Sequence, residues 1–407
     1  MSKKKQAKKW IHFRHAVVRS ILAPIFHVIS IFKYGVKVER FKHQKKGQPY
    51  LILFNHQTAY DQFFVKFAFK GSVYFVATED IFSMGFVSKV LKYLVAPIPI
   101  KKQTTDVHAV MTCRKVAKEG GTIAIAPEGN RTYSGKTEYI NPAIVGLIKL
   151  LKLPLVLYRL EGGYGVHPRW SDHVRKGKMR CYVSRVVEPE EYASLTDDEI
   201  MNLIKAELYV NEGVVDGVYK HKRLAEGLER ARYVCHRCGI TKFNTNKDVI
   251  ECCNCKTKAR YLPTKELQGV GEEFPFRFTT EWYEYQSNFV RNLDLAPYQE
   301  APLFDEANVA LSEVVLYDRK HPICKDAAVK FFGNRFEITY NGKCTILPFK
   351  EISAVTVLGK NKLNIYFNKK VWQLKGDKSF NSLKFVNIFY HYKNIQAGDP
   401  NGEFLGL

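Results

Sequence analysis

Acid is what this sequence has too little of. Lysine and arginine number 63 against 40 aspartates and glutamates, a formal net charge of +23 at pH 7. A surplus of that size implies an anionic partner: a nucleic acid, a membrane surface or a phosphorylated substrate. The shortage is sharpest at the start, where Glu39 is the one acid in residues 1–48. Clean apolar runs are missing too. The best candidate, Ala16 to Phe32, is interrupted by Arg19, Pro24 and His27, and falls short of the ~20 uninterrupted residues of a spanning helix. An interfacial helix or kinked helical pair fits better, with apolar side chains in lipid and Lys/Arg on anionic headgroups. No small-residue cleavage site follows, so the stretch does not read as a secretory signal. Nine cysteines are present without a disulfide framework: four are clustered and the rest scattered, which suits a reducing compartment. The expected location is the cytoplasmic face of the cell membrane, peripheral or monotopic.

At 407 residues the chain is too long for one ordinary core, and two to four domains are expected. From Tyr50 to about Glu212 the pattern alternates between strand and helix. Tyr50–Phe54, Ser72–Ala77, Thr122–Ala126, Leu155–Tyr158 and Met179–Val187 read as strands. Ile81–Leu94, Asp106–Glu119 and Asn141–Lys152 read as helices, and Thr196-Asp-Asp-Glu199 as a capping box opening another. Val95–Ile100 is extended, because each proline pushes its predecessor out of α space. Such alternation predicts a mainly parallel sheet flanked by helices.

His56 follows the first of these strands, where α/β proteins place their chemistry. Asp61 comes five residues later. On one helix the two would point roughly 140° apart, so they meet only if a loop carries His56 and a helix start carries Asp61. If they meet, Asp61 fixes the imidazole tautomer and the other nitrogen is free to take a proton from a hydroxyl. No Ser or Cys stands beside His56 in the motif, so the pair offers a general base without a protein nucleophile. The strand Thr122–Ala126 ends in Pro127-Glu128-Gly129-Asn130-Arg131. Gly129 allows a tight turn, Arg131 offers a planar donor fork suited to phosphate, and Glu128 could accept from a substrate hydroxyl. Lys101 follows the extended Ile98-Pro-Ile100, and Pro154 opens a later strand.

Taken in order, His-x-x-x-x-Asp, a basic residue after Pro/Ile, Pro-Glu-Gly-x-Arg and the later Pro resemble the glycerolipid acyltransferase family, over roughly Tyr50 to Val187. The resemblance implies transfer of a fatty acyl group from acyl-CoA or acyl carrier protein to a hydroxyl of lysophosphatidic acid or a related glycerophosphate. It implies His56 as base with Asp61 as its partner, Glu128, Gly129 and Arg131 around the glycerol phosphate, and Lys101 near the phosphate. The family usually has Arg where Lys101 stands and Thr where Asn130 stands. A non-catalytic lipid- or protein-binding scaffold with the same fold is the alternative. The Gly-rich stretch Leu160-Glu-Gly-Gly-Tyr-Gly-Val-His-Pro-Arg-Trp170 reads as a loop lining the site or a lid.

Cys235-x-x-Cys238 and Cys252-x-x-Cys255 are two knuckles separated by 13 residues, the spacing of a zinc ribbon in which four thiolates hold structural Zn2+. Cys253 would spoil the spacing. The ribbon lacks the exposed aromatic-basic pattern of nucleic-acid binders, which argues against nucleic acid as the partner. Aromatics crowd Gly271–Asp294 and suit a core. From about Ala310 short β runs are followed by a helix, Ser379–Lys393, and this order looks like a pleckstrin-homology-type barrel. The expected organisation is a basic membrane-associating segment over 1–48, an acyltransferase domain over 49–230, a zinc ribbon over 231–263, an aromatic connector over 264–309 and a β-rich domain over 310–407.

Overall fold

A computed structural model describes residues 9–83, 85–100, 106–214, 216–315 and 318–405, with no side-chain detail for Glu79 and Asp80. Helix α1 (Phe13–Tyr34) leads into β1 (Val36–Val38), β2 (Leu51–Phe54), α2 (Asp61–Ala68) and β3 (Val73–Thr78). Then come α3 (Phe86–Val95), β4 (Ile98–Ile100), α4 (Val107–Lys118), β5 (Thr122–Ile125) and α5 (Ala143–Leu151). The unit closes with β6 (Leu155–Glu161), α6 (Gly163–Val166), β7 (Met179–Val187), α7 (Pro189–Ala193) and α8 (Asp197–Leu208). The strands form one sheet in the order β1-β7-β6-β2-β5-β3-β4. The run from β6 to β4 is parallel, and the antiparallel β6–β7 pairing reverses the last two strands. Strand β2 is buried along its whole length because both sheet faces are covered, as expected of an apolar run in a parallel sheet. The Thr196–Glu199 capping box forms and starts α8.

Two sequence expectations change here. The helix expected over 81–94 is divided into a 3-10 turn, Glu79–Ser83, and α3, because Gly85 takes a positive φ of 60° at the helix start. The interrupted run at Ala16–Phe32 is one continuous 22-residue helix, α1, with Pro24 inside it, and by length and composition it could cross a membrane. Its interruptions are absorbed by packing. Arg19 bonds the Val95 carbonyl at 2.6 Å and lies over the Tyr74 ring, while His27 and Phe26 pack on Phe67 and Phe63 of α2. The opposite stripe, Phe13, Val17, Ile21, Ile25, Val28 and Phe32, is exposed.

Two short strands, β8 (Val234–Cys235) and β9 (Gly239–Ile240), carry the first cysteine knuckle. A four-stranded antiparallel sheet follows, β10 (Phe243–Asn246), β11 (Val249–Cys252), β12 (Lys258–Tyr261) and β13 (Leu267–Gly269). Helix α9 (Thr279–Arg291) places Trp282 and Tyr283 in the interior, so the aromatic stretch is core. Seven antiparallel strands complete the chain: β14 (Phe304–Val314), β15 (Lys320–Phe331), β16 (Arg335–Tyr340), β17 (Lys343–Pro348), β18 (Ile352–Leu358), β19 (Lys362–Phe367) and β20 (Lys370–Lys375). Their order is β17-β16-β15-β14-β20-β19-β18, and α10 (Leu383–Gln396) packs its apolar side into them. A single apolar cluster runs from Tyr133, Tyr164 and Trp170 through Phe243, Tyr261 and Trp282 to Phe336, Phe385 and Phe389. The ribbon and the C-terminal sheet therefore share a core, and that core reaches the α/β unit.

The Gly-rich stretch after β6 owes its composition to close approach. A Cβ on Gly162, which has φ of 81°, would lie 2.4 Å from the Lys178 carbonyl oxygen; one on Gly165 would lie 2.3 Å from the Tyr219 ring. Gly146, on α5, has open space around it. Gly165→Ala is expected to lower the unfolding free energy by about 1–3 kcal/mol through overpacking. Gly146→Ala should leave it unchanged or raise it by up to about 1 kcal/mol. Denaturant titration of the two variants checks both.

Candidate active site

Beyond the C-terminal end of β2 the chain leaves the sheet as Asn55-His56-Gln57-Thr58, and Asn55, Gln57 and Thr58 are buried. Asn55 continues the β2–β6 pairing with its side chain, donating to the Leu160 carbonyl at 2.8 Å and accepting from the Leu160 amide at 2.7 Å. Gln57 Oε1 accepts from the Gly163 amide at 2.8 Å and so anchors the loop after β6. Between them the His56 backbone is held at both ends. Its amide donates to Glu128 Oε1 at 2.7 Å, and its carbonyl accepts from the Thr132 amide at 3.1 Å.

The His56 ring meets Asp61, with Nδ1 to Oδ2 at 2.8 Å. A loop carries one and the first residue of α2 carries the other, which is the arrangement the five-residue spacing demanded. Asp61 is fully enclosed, whereas the His56 side chain keeps 23% exposure. The Asp61 carboxylate also accepts from the Gln57 amide at 2.7 Å, the Thr58 amide at 3.0 Å and the Thr58 hydroxyl at 2.6 Å. These donors and the N-terminus of α2 surround the carboxylate on several sides. With Nδ1 facing that carboxylate, the ring's accessible nitrogen is Nε2, a proton acceptor in the neutral tautomer.

The turn after β5 is brought against the same loop. Gly129 has φ of 72°, and its amide closes the turn on the Ala126 carbonyl at 3.0 Å. Glu128 uses one oxygen on His56 and the other on the Glu138 amide, at 2.7 Å. Burial pushes its carboxyl well above the ordinary range, against the pull of those two amides. Its observed partners are thus backbone amides that shape the site, whereas its charge and position suggested a substrate hydroxyl. Arg131 is different: its NH1 is buried with no hydrogen-bond partner. Burial, then the neighbouring Arg169 guanidinium, bring its pKa down to about 10. Arg131 NH1 is thus a buried donor without a partner, close to a second guanidinium. Lys101 lies outside the described residues.

Sequence reasoning missed the supports. Asn55, Gln57 and Thr58 are polar residues immediately after an apolar strand, and that abrupt change was their one signal. Arg169 gave none. Its NH1 donates to the Arg131 carbonyl at 2.9 Å, its NH2 reaches the Val357 carbonyl of β18 at 3.4 Å, and it lies over the Tyr133 ring.

Away from this site, Cys235, Cys238, Cys252 and Cys255 bring their sulfurs within 4.8 Å of one another. Tetrahedral tetrathiolate zinc, with Zn–S of about 2.3 Å, separates its sulfurs by about 3.8 Å. The Cys235–Cys255 and Cys238–Cys252 pairs, at 3.6 and 3.9 Å, fit a metal of that size. Cys253 is outside the cluster.

Residues 35–157 match the family described as Acyltransferase. No curated protein matches the chain. One similar solved structure is the crystal structure of the 1-acyl-sn-glycerophosphate (LPA) acyltransferase PlsC from Thermotoga maritima. It is 19% identical, with 48% of this chain and 78% of that one covered and a TM-score of 0.40. Another is the solution structure of the N-terminal PH domain of human ARAP2, 21% identical, with 23% of this chain and 82% of that one covered and a TM-score of 0.18. The segment that resembles the acyltransferase family is the one that holds His56, Asp61, Glu128, Gly129 and Arg131.

Proposed function

We propose that the protein is a membrane-associated acyltransferase that moves a fatty acyl group from acyl-CoA or acyl carrier protein to a hydroxyl of lysophosphatidic acid or a related glycerophosphate. The observation that carries this reading is the His56–Asp61 pair set beside a buried Arg131 guanidinium with an unpartnered NH1, within a segment that matches the acyltransferase family. In this reading Arg131 takes the acceptor phosphate, joined by Lys101. His56 Nε2 removes the proton from the acceptor hydroxyl as that oxygen attacks the thioester carbonyl. Asp61 holds the tautomer and stabilises the imidazolium that forms. Backbone amides at a turn hold the oxyanion. When the carbon–sulfur bond breaks, His56 returns the proton to the thiolate, so no acyl-enzyme is needed. Glu128 fixes the His56 backbone at the edge of the acceptor site.

The exposed stripe of α1 supports a membrane role. It continues onto α3, where Phe86, Val90 and Tyr93 are also exposed. An apolar face of this kind in a basic protein suits the cytoplasmic surface of an anionic bilayer. The four cysteines are assigned to one structural Zn2+, and the strand order of the C-terminal sheet with its closing helix supports the pleckstrin-homology-like reading.

With lysophosphatidic acid and an acyl-CoA mixture, mass spectrometry should identify phosphatidic acid as the product. His56→Ala should cut the rate by about 10²–10⁴ while the protein remains folded. Asp61→Asn should also be severe, since an amide can donate where the carboxylate must accept. An active His56→Ala protein would return the chain to the scaffold alternative.

Metal analysis should find one zinc per chain, and a Cys235→Ser/Cys252→Ser double variant should lose it. Because the ribbon shares its core with the C-terminal sheet, chelation should lower the melting of both together. Zinc retained by the double variant would remove the assignment.

Vesicle pelleting tests the membrane face. Ile21→Asp with Val28→Asp, both on the exposed side of α1, should weaken binding to anionic vesicles. High salt should weaken binding of the unaltered protein as its charges are screened. Equal pelleting of variant and parent would exclude this face.

A further inference from the structure

The loop between β6 and β7 is held more firmly than its glycines suggest. Gln57 anchors its start, the Arg175 amide closes it on the Val166 carbonyl at 2.8 Å, and the His167 amide bonds the Gly163 carbonyl at 2.8 Å. Arg169 ties it to both Arg131 and Val357. From the β18–β19 turn, Lys360 bonds Asp172 at 2.7 Å. Burial would raise the Asp172 carboxyl, but bonds from Arg230 and Lys360 bring it below its ordinary value. Asp172 is therefore a committed anion.

His167 sits in the middle of this loop, 8% exposed, with Nδ1 buried and without a hydrogen-bond partner. Its ring stands 6.0 Å from that of Tyr34, at the end of α1. Burial, then Lys360, Arg131, Lys33 and Arg175, draw its pKa down to about 3. Those four charges are all positive. Lys360 is engaged with Asp172, and Arg175 with the Leu224 carbonyl and Tyr261. Lys33 is exposed, over the Tyr34 and Tyr60 rings, and Arg131 NH1, Arg175 Nε and His167 Nδ1 are buried nitrogens without a hydrogen-bond partner. A surplus of cations with three buried nitrogens that lack partners is matched by an anion with several oxygens.

We propose that His167 is a second anion-reading residue of the acceptor pocket, taking an oxygen of a glycerol phosphate headgroup alongside Arg131. The neutral ring binds through an N–H, and the arriving phosphate charge favours its protonation. The C-terminal sheet thereby helps to shape the pocket, since β18 and the turn after it hold the loop that carries His167. This rests on reading the pocket as an acceptor site, and direct binding separates the two ideas.

The experiment uses the full chain and calorimetry with glycerol 3-phosphate and, separately, inorganic phosphate. His167→Ala should weaken glycerol 3-phosphate binding about tenfold or more. In acyl transfer, His167→Ala should raise KM for lysophosphatidic acid by a similar factor, with kcat little changed and monoacylglycerol unaffected. His167→Gln, which keeps an N–H donor, should recover part of the loss. Should His167→Ala melt early, the nitrogen resonances of His167 in the unaltered protein decide: a shift on adding glycerol 3-phosphate supports the proposal and none overturns it. Undiminished binding by a folded His167→Ala, or equal losses on both acceptors, would also overturn it. If the two phosphates bind equally, the residue reads phosphate alone and the headgroup assignment is withdrawn. A chain that transfers no acyl group yet binds glycerol 3-phosphate through His167 keeps this inference and loses the proposed activity.

Discussion

One enclosed carboxylate organises the site. Asp61 has no exposure and would be untenable as a charge without donors around it. It gathers them from its own neighbourhood: the His56 ring, two backbone amides and the Thr58 hydroxyl. Satisfying that charge forces residues 56–58 to curl back over the start of α2. The same curl sets the direction of the imidazole. Electrostatic need and the aim of the imidazole are here one constraint, and the bonds of Asn55 and Gln57 to the β6 side keep the loop from relaxing.

That constraint spreads outward through arginines. Arg131 is pinned by its backbone to Arg169, and Arg169 bonds the C-terminal sheet. Arg175 lies against Trp170 and Tyr261, joining the loop to β12, and Arg230 bonds the Trp170 carbonyl at 3.0 Å. A guanidinium suits such junctions because its flat fork satisfies several carbonyls while its faces lie on aromatic rings. The positive surplus in the composition is therefore not all surface charge. Part of it is buried where the sheets meet.

The α/β part was legible because its signals are local. Buried parallel strands are short apolar runs, and β7 occupies the residues its alternation predicted, Met179–Val187. The cysteine knuckles were equally plain, since metal geometry dictates their spacing. The early strands of the C-terminal sheet were harder. Strand β14 has register breaks around Asn308, which takes φ of 55°, and β15 carries Pro322 among charged residues. The first half of β15 lacks the two-residue period that marks a strand, which begins only at Ala327–Phe331. Helix α9 was hidden by the aromatics that fill its buried face. In the site, the His/Asp pair could be read from spacing, but Arg169 and His167 could not. The glycines around them marked a loop lining the site or a lid, but which side chains it offers depends on residues far away in sequence.

The Arg169–Val357 bond spans 188 residues of chain. By contrast, the bonds that form the His56–Asp61 turn close loops of five residues or fewer. Contacts so different in loop length form at different stages, because distant pairing must overcome more chain entropy first. During synthesis the turn can assemble as soon as α2 has emerged, whereas the loop after β6 must wait for β18. Over the intervening stretch the nascent chain would hold an aligned imidazole beside a loop not yet tied to β18. Maturation of the site is thus tied to the arrival of its last sheet, so the order of the domains along the chain also sets the order in which the base and the pocket around it become ready.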